Sequence, residues 1–154
     1  MNSLTPIAES PEYITSLTLE AAHALHLQTA TDYIAYGGQV QHLSVREEER
    51  YQRSIRRMRR IQMDSWLNGI LIPSTDDATG RENVYVYLLE HDRAHRVGRL
   101  RHSMTEPIFG QLKNEFDTNQ RVVPVIAKVA PGRSARELGI IAYAKTDLVD
   151  FPAY

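Results

Sequence analysis

The 154-residue sequence has no cysteine, one tryptophan, three phenylalanines and only three lysines. Without thiols there is no disulfide framework, no thiolate zinc site and no cysteine nucleophile. The composition suits a reducing compartment, and the cytoplasm is the expected location. Long apolar runs are also missing, so no membrane span is expected. The first ten residues, MNSLTPIAES, show neither a basic n-region nor an apolar h-region, which predicts no signal peptide. At 42% apolar residues the chain is too hydrophobic for a disordered tail. Its length suits a single domain able to bury its own core.

Arginine is what the sequence has in excess: 15 of the 18 basic residues are Arg. Arg presents a planar fork to phosphate or carboxylate, whereas Lys is a hydrated point charge. Two windows concentrate it. Residues 46–60 carry seven Arg and three Glu, a net of +4, and residues 91–102 carry four Arg, one Asp and three His, a net of +3. The remainder has a net charge of -8, so the overall -1 is an average over unlike parts. Phosphate-bearing ligands, nucleotide or nucleic acid, therefore remain candidates.

Periodicity predicts an α/β (α+β) single domain, a small mixed sheet with one long Arg-rich helix and two or three shorter ones. Residues 1–12 form a loose lead-in, 13–146 the domain and 147–154 a tail. A short strand is expected over 13–17 and a short helix over 18–27. Ser44 and Glu47 make an S-x-x-E capping box, followed by a stripe of Tyr51, Ile55, Met58 and Gln62 with Ile61 beside it. With Asn68-Gly69 as the stop, the long helix is placed at 45–67. Strands are expected at 70–72, 84–89 and 122–129, with Pro124 favouring an edge or a strand end. Thr105 is placed as the cap of a helix starting near Glu106, with Ile108, Phe109, Leu112 and Phe116 on its buried side. Ser134 and Glu137 form a second capping box. The segments 91–102 and 135–145 fit helix or strand. Trp66 is expected as a core anchor.

Two constellations could do chemistry. Arg53, Arg56, Arg57 and Arg60 share one helical face, a costly stacking of like charge that suits an anionic partner. Asp92-Arg93-Ala94-His95-Arg96 follows the 84–89 strand, where a turn into a helix would present free N–H groups to an anion; a plain charged hairpin fits the same residues. The expected phosphate ligands are Arg53, Arg57, Asp92, His95 and Arg96, with Arg56, Arg60, Arg99 and Arg101 as a secondary basic face. His23 and His26 lack partners at ligand spacing, so no metal site is expected. His42-Leu43-Ser44 has the H-x-S form of some phosphoesterases, without a second copy.

Tyr51-Gln52-Arg53 with Arg57 and Ile61, followed by the Leu71-Ile72-Pro73 strand and Asp92-Arg93-Ala94-His95-Arg96, resembles the ParB/sulfiredoxin superfamily, and within it the DGQHR-type domains. The resemblance spans about residues 13–146. It implies nucleotide binding or turnover, with a nucleotide and Mg as the implied cofactor, in DNA modification, defence or mobile-element biology. Arg93 and Ala94 replace the motif's Gly and Gln, which implies a degenerate binding role rather than hydrolysis. A second resemblance is to the HIRAN domain, a small β-barrel that binds DNA ends. It takes Asn83-Val84-Tyr85-Val86 as the N-A-V-x-V strand and Arg96-Val97-Gly98-Arg99-Leu100 as the V-G-Y-L strand. The ParB-type resemblance implies helix at 95–102 and 135–145; the HIRAN-type resemblance implies strand at both. A third possibility is a phage or plasmid interaction protein that inhibits a host complex without a small ligand, docking through its acidic remainder on a protein partner.

Overall fold

Alternating apolar residues fold most of this chain into antiparallel strands, and one short segment nearly closes them into a barrel. The computed structural model describes residues 40–62, 66–90, 93–119, 122–132 and 136–145. In chain order these form β1 (Val40–Leu43), β2 (Val45–Arg46), a 3₁₀ turn (Glu48–Tyr51), α1 (Gln52–Gln62), β3 (Leu67–Thr75), β4 (Glu82–Glu90), β5 (Arg93–Leu100), α2 (His102–Asn119), β6 (Val123–Pro131) and β7 (Leu138–Lys145). The strand order is β1-β7-β6-β3-β4-β5-β2. Only Ser44 separates β1 from β2, so the two edges of the sheet are one stretch of chain. β1 pairs with β7 and β2 with β5. The Arg101 N–H donates to the Ser44 carbonyl at 2.9 Å and extends the seam.

The expected α+β character is present, but the sheet is not mixed: every pairing among the described residues is antiparallel. The short β3–β4, β4–β5 and β6–β7 connections require this, because parallel neighbours need a long crossover. In the β3–β4 turn the Asp76 carboxylate accepts the Ala78 and Thr79 N–H groups at 2.8 and 3.0 Å. Those bonds, Thr79's foremost, hold its carboxyl below the usual range.

The inward side chains Leu43, Leu71, Val86, Leu88, Val97, Val125 and Ala142 form one core. Tyr51, Ile55 and Met58 join it from the α1 region, and Met104, Ile108, Phe109 and Leu112 from α2. Each such aliphatic side chain contributes about 2 kcal/mol on leaving water. A second cluster, Ile70, Ile72, Tyr87, Leu89, Ala94 and Val122, lies on the other side of β3–β5, with Phe116 packed against it. β3 and β4 are thus buried on both faces.

Several expectations are corrected. The helix placed at 45–67 is α1 alone, 11 residues long. Val45 and Arg46 are strand, because their pairing with Leu100 and Arg99 closes the barrel. Glu47 stands at the head of the 3₁₀ turn with φ 64° and makes no side-chain cap; its carboxylate serves arginines instead. Asn68-Gly69 does not stop a helix but lies in β3. A Cβ on Gly69 would meet the Tyr87 carbonyl at 2.5 Å, so glycine permits the close approach of β4. α2 starts at His102, not Glu106, and the Thr105 hydroxyl donates back to the Arg101 carbonyl at 3.2 Å. Pro124 is the second residue of β6, so of the two expected placements the strand end is the one observed, on an inner strand. Residues 93–100 and 138–145 are strands, so the helices implied there by the ParB-type resemblance do not form. Ile61 is 41% exposed, off the core. The expected strand at 13–17, helix at 18–27, His23, His26 and Ser134 lie outside the described residues.

Candidate functional site: a basic cleft between α1 and β5

Helical spacing and strand alternation together sort the arginines. On α1, Ile55 and Met58 turn into the core, which rotates Arg53, Arg57 and Arg60, at i, i+4 and i+7, to one flank. Gln52 anchors that rotation: its amide accepts the Leu138 N–H at 2.9 Å and donates to the Leu138 carbonyl at 2.8 Å. Beside it, the Glu48 carboxylate accepts the Ile140 N–H at 2.9 Å. These bonds tie the start of the helix to β7. In Tyr51-Gln52-Arg53, the tyrosine is core, the glutamine a strap and only the arginine faces out.

Arg53, Ser54, Arg57 and Arg60 of α1 and His95 of β5 line one cleft of about 310 Å³. The Arg57 fork donates to Glu90 from Nε at 2.8 Å and from Nη2 at 2.6 Å. The same carboxylate lies 2.7 Å from His95 Nε2. Arg57 and then His95 hold the Glu90 carboxyl at about 2, against its partial desolvation. Glu90 in turn pushes the Arg57 guanidinium up. Arg53 and Arg60 are exposed and form no ion pair or hydrogen bond with a described residue. The cleft therefore holds two uncommitted cations beside one neutralised pair, which suits a phosphate group.

The expected site splits at one peptide bond. In β5 the residues paired with Leu88 and Tyr87 are His95 and Arg96, so the two side chains leave the sheet on opposite sides. A bulge opposite Val86/Tyr87 follows, at Val97. Arg96 is buried, and its Nε and Nη2 donate to the Tyr87 hydroxyl at 3.0 and 2.7 Å. Its guanidinium carbon lies 3.6 Å from the Tyr85 ring centroid. Burial pushes the Tyr87 hydroxyl up, with Arg96 pulling it partly back. Arg96 is thus a structural cation held by tyrosines and does not line the cleft with Arg53. Asp92 lies outside the described residues. Arg56 is exposed but outside the cleft.

Arg99 and Arg101 contribute elsewhere. They line a groove of about 740 Å³ with Arg46, Glu47, Glu48, Glu49, His102 and Glu137. Arg99 Nε reaches the Glu47 carboxylate at 2.8 Å, and Arg50 reaches its other oxygen at 3.3 Å. Burial works to raise the Glu47 carboxyl, but these arginines outweigh it and hold it below the usual range. Balanced charge makes this groove a poorer phosphate site than the α1–β5 cleft.

No group of three metal-ligating side chains stands together among the described residues, and Glu90 is committed to Arg57 and His95. No described helix is long and apolar enough to cross a membrane. Sequence reasoning missed one cluster: Trp66 is not a core anchor but lies partly exposed against Tyr143, which also meets His42, with Lys128 beside the Trp66 ring. Strand alternation could have pointed to Tyr143, though not to its neighbours. Comparison with family models, curated proteins and solved structures finds no match for this chain.

Proposed function

We propose that this barrel is a nucleic-acid-binding module that takes the phosphate-bearing end of a single DNA strand in the α1–β5 cleft. The observation that carries it is the convergence of Arg53, Arg57 and Arg60 from one helix with His95 from a strand some 35 residues further on. Phosphate binding at such a site is charge-driven and releases counterions. Support comes also from the strands at 93–100 and 138–145, the local structure implied by the HIRAN-type resemblance, whose members bind DNA ends. The same strands weigh against the ParB/DGQHR-type resemblance and the nucleotide turnover it implied. The role is binding, with no hydrolytic step assigned.

Fluorescence anisotropy with a labelled single strand at rising salt tests this. Each phosphate contact adds about -0.7 to the slope of log K against log salt. Arg53→Ala with Arg60→Ala should weaken binding and flatten that slope by roughly 1 to 1.5. No binding at low salt, or a double variant indistinguishable from the parent, overturns the proposal. Competition by a mononucleotide as effective as the strand itself would redirect it to a nucleotide.

A further inference from the structure

On the outer side of the sheet, away from the barrel core, His42, Tyr143 and Ile126 lie in one row across β1, β7 and β6, as their register shows. The Tyr143 ring meets His42 edge-on, with centroids 5.4 Å apart at 68°. It meets Trp66, just ahead of β3, at 5.9 Å and 65°. Lys128 Nζ stands 5.2 Å from the Trp66 ring centroid. Ile126 is buried, whereas His42, Tyr143, Trp66 and Lys128 are not, and Ile141, two residues before Tyr143, is 40% exposed.

Three features specify what this surface suits. In each edge-on pair one ring's edge meets the other's face, so one ring of the pair keeps both faces clear of its partner for a further flat group. Lys128 forms no ion pair with a described residue, although salt bridges are formed elsewhere on the molecule. The outward positions of β6 and β7 in this row and the next, Ile126, Lys128, Ile141 and Tyr143, include no carboxylate. Open π-faces beside such a cation match unpaired bases joined by phosphates, since every base has a face to stack and every linkage a negative charge. An apolar peptide would leave that cation unused.

We propose that His42, Trp66 and Tyr143, with Lys128 at their rim, form a stacking platform for the bases of single-stranded nucleic acid, separate from the α1–β5 cleft. The platform rests on the nucleic-acid reading above and adds where the unpaired bases of that strand stack.

Trp66 is the chain's one tryptophan, so its emission reports this surface alone. The probes are an oligothymidylate of about ten nucleotides, within the span such surfaces cover, an abasic phosphodiester of equal length, and a duplex. The oligothymidylate should quench Trp66 and bind at least about tenfold more tightly than the abasic strand. The duplex, whose bases are already stacked, should leave Trp66 unquenched. Tyr143→Ala and, independently, His42→Ala should lower affinity for the oligothymidylate several-fold while leaving the abasic strand unchanged. Equal affinity for both single strands with unquenched emission overturns the platform and leaves the cleft standing. No binding by any probe overturns both.

Discussion

The Glu90 carboxylate receives both Nε and Nη2 of Arg57, at 2.8 and 2.6 Å, and touches His95 with the same oxygen that accepts Nε. One carboxylate thus fixes the relation between α1 and β5, and with it the shape of the cleft.

This pairing has a defined pH signature. Glu90 titrates near 2 in the folded chain against an ordinary 4.5. A depressed folded value stabilises above the unfolded value and is lost as pH falls. Glu90→Gln should therefore cost on the order of 1 kcal/mol at neutral pH, since Arg57 is half exposed and solvent screens the pair. Urea unfolding of parent and variant should converge as pH drops from 4.5 toward 2. A gap that stays constant across that window would refute the linkage. The same variant frees Arg57 and should tighten oligonucleotide binding about two- to fivefold.

The arginines of α1 are not equivalent. Arg53 and Arg60 line the cleft, while Arg56 and Arg59 are exposed outside it. Removing Arg53 and Arg60 should weaken strand binding roughly tenfold or more at low salt, and removing Arg56 and Arg59 far less. Equal losses in the two double variants would show a diffuse helix charge rather than a cleft.

Arg96 should matter for stability instead. Its guanidinium satisfies the Tyr87 hydroxyl and lies on the Tyr85 ring. Arg96→Ala should cost about 2–4 kcal/mol, as breaking a buried charged contact leaves its partners unsatisfied. Arg96→Lys should recover only part, lacking the fork. The urea midpoint is the measurement. A midpoint within error of the parent would mean the tyrosines do not depend on the guanidinium.

Gly98 marks the seam of the barrel. A Cβ there would fall 2.5 Å from Val45 Cγ1 and 2.8 Å from the Arg46 carbonyl, forcing β2 off β5. Gly98→Ala should destabilise by about 1–3 kcal/mol. A Cβ on Gly110, inside α2, would meet nothing within 4 Å. Gly110→Ala should therefore stabilise by about 0.5–1 kcal/mol through helix propensity. Thermal melts of the two variants should move in opposite directions.

Much of the local structure was legible in the sequence. The β-branched and aromatic run at 84–89 is strand, the stripe Tyr51, Ile55 and Met58 is buried, and Ile108, Phe109 and Leu112 face the core. These follow from periods of 2.0 and 3.6, which neighbouring residues alone express. Of the two arginine windows, the first supplies Arg53, Arg57 and Arg60 to the cleft and the second only His95. Tertiary structure decided the rest. Val45 pairs with Leu100 across 55 positions and turns the expected first helical turn into the strand that nearly closes the barrel. That pairing satisfies backbone groups and buries Val45, outweighing the local helix signal of Ser44 and Glu47. His95 and Arg96 were indistinguishable as neighbours in a charged motif; once β5 forms, alternation sends one to the cleft and the other to the tyrosines. Trp66, expected inside, lies against Tyr143 because β3 is flanked by β6, with β7 beyond it, and no local pattern specifies which strands will be neighbours.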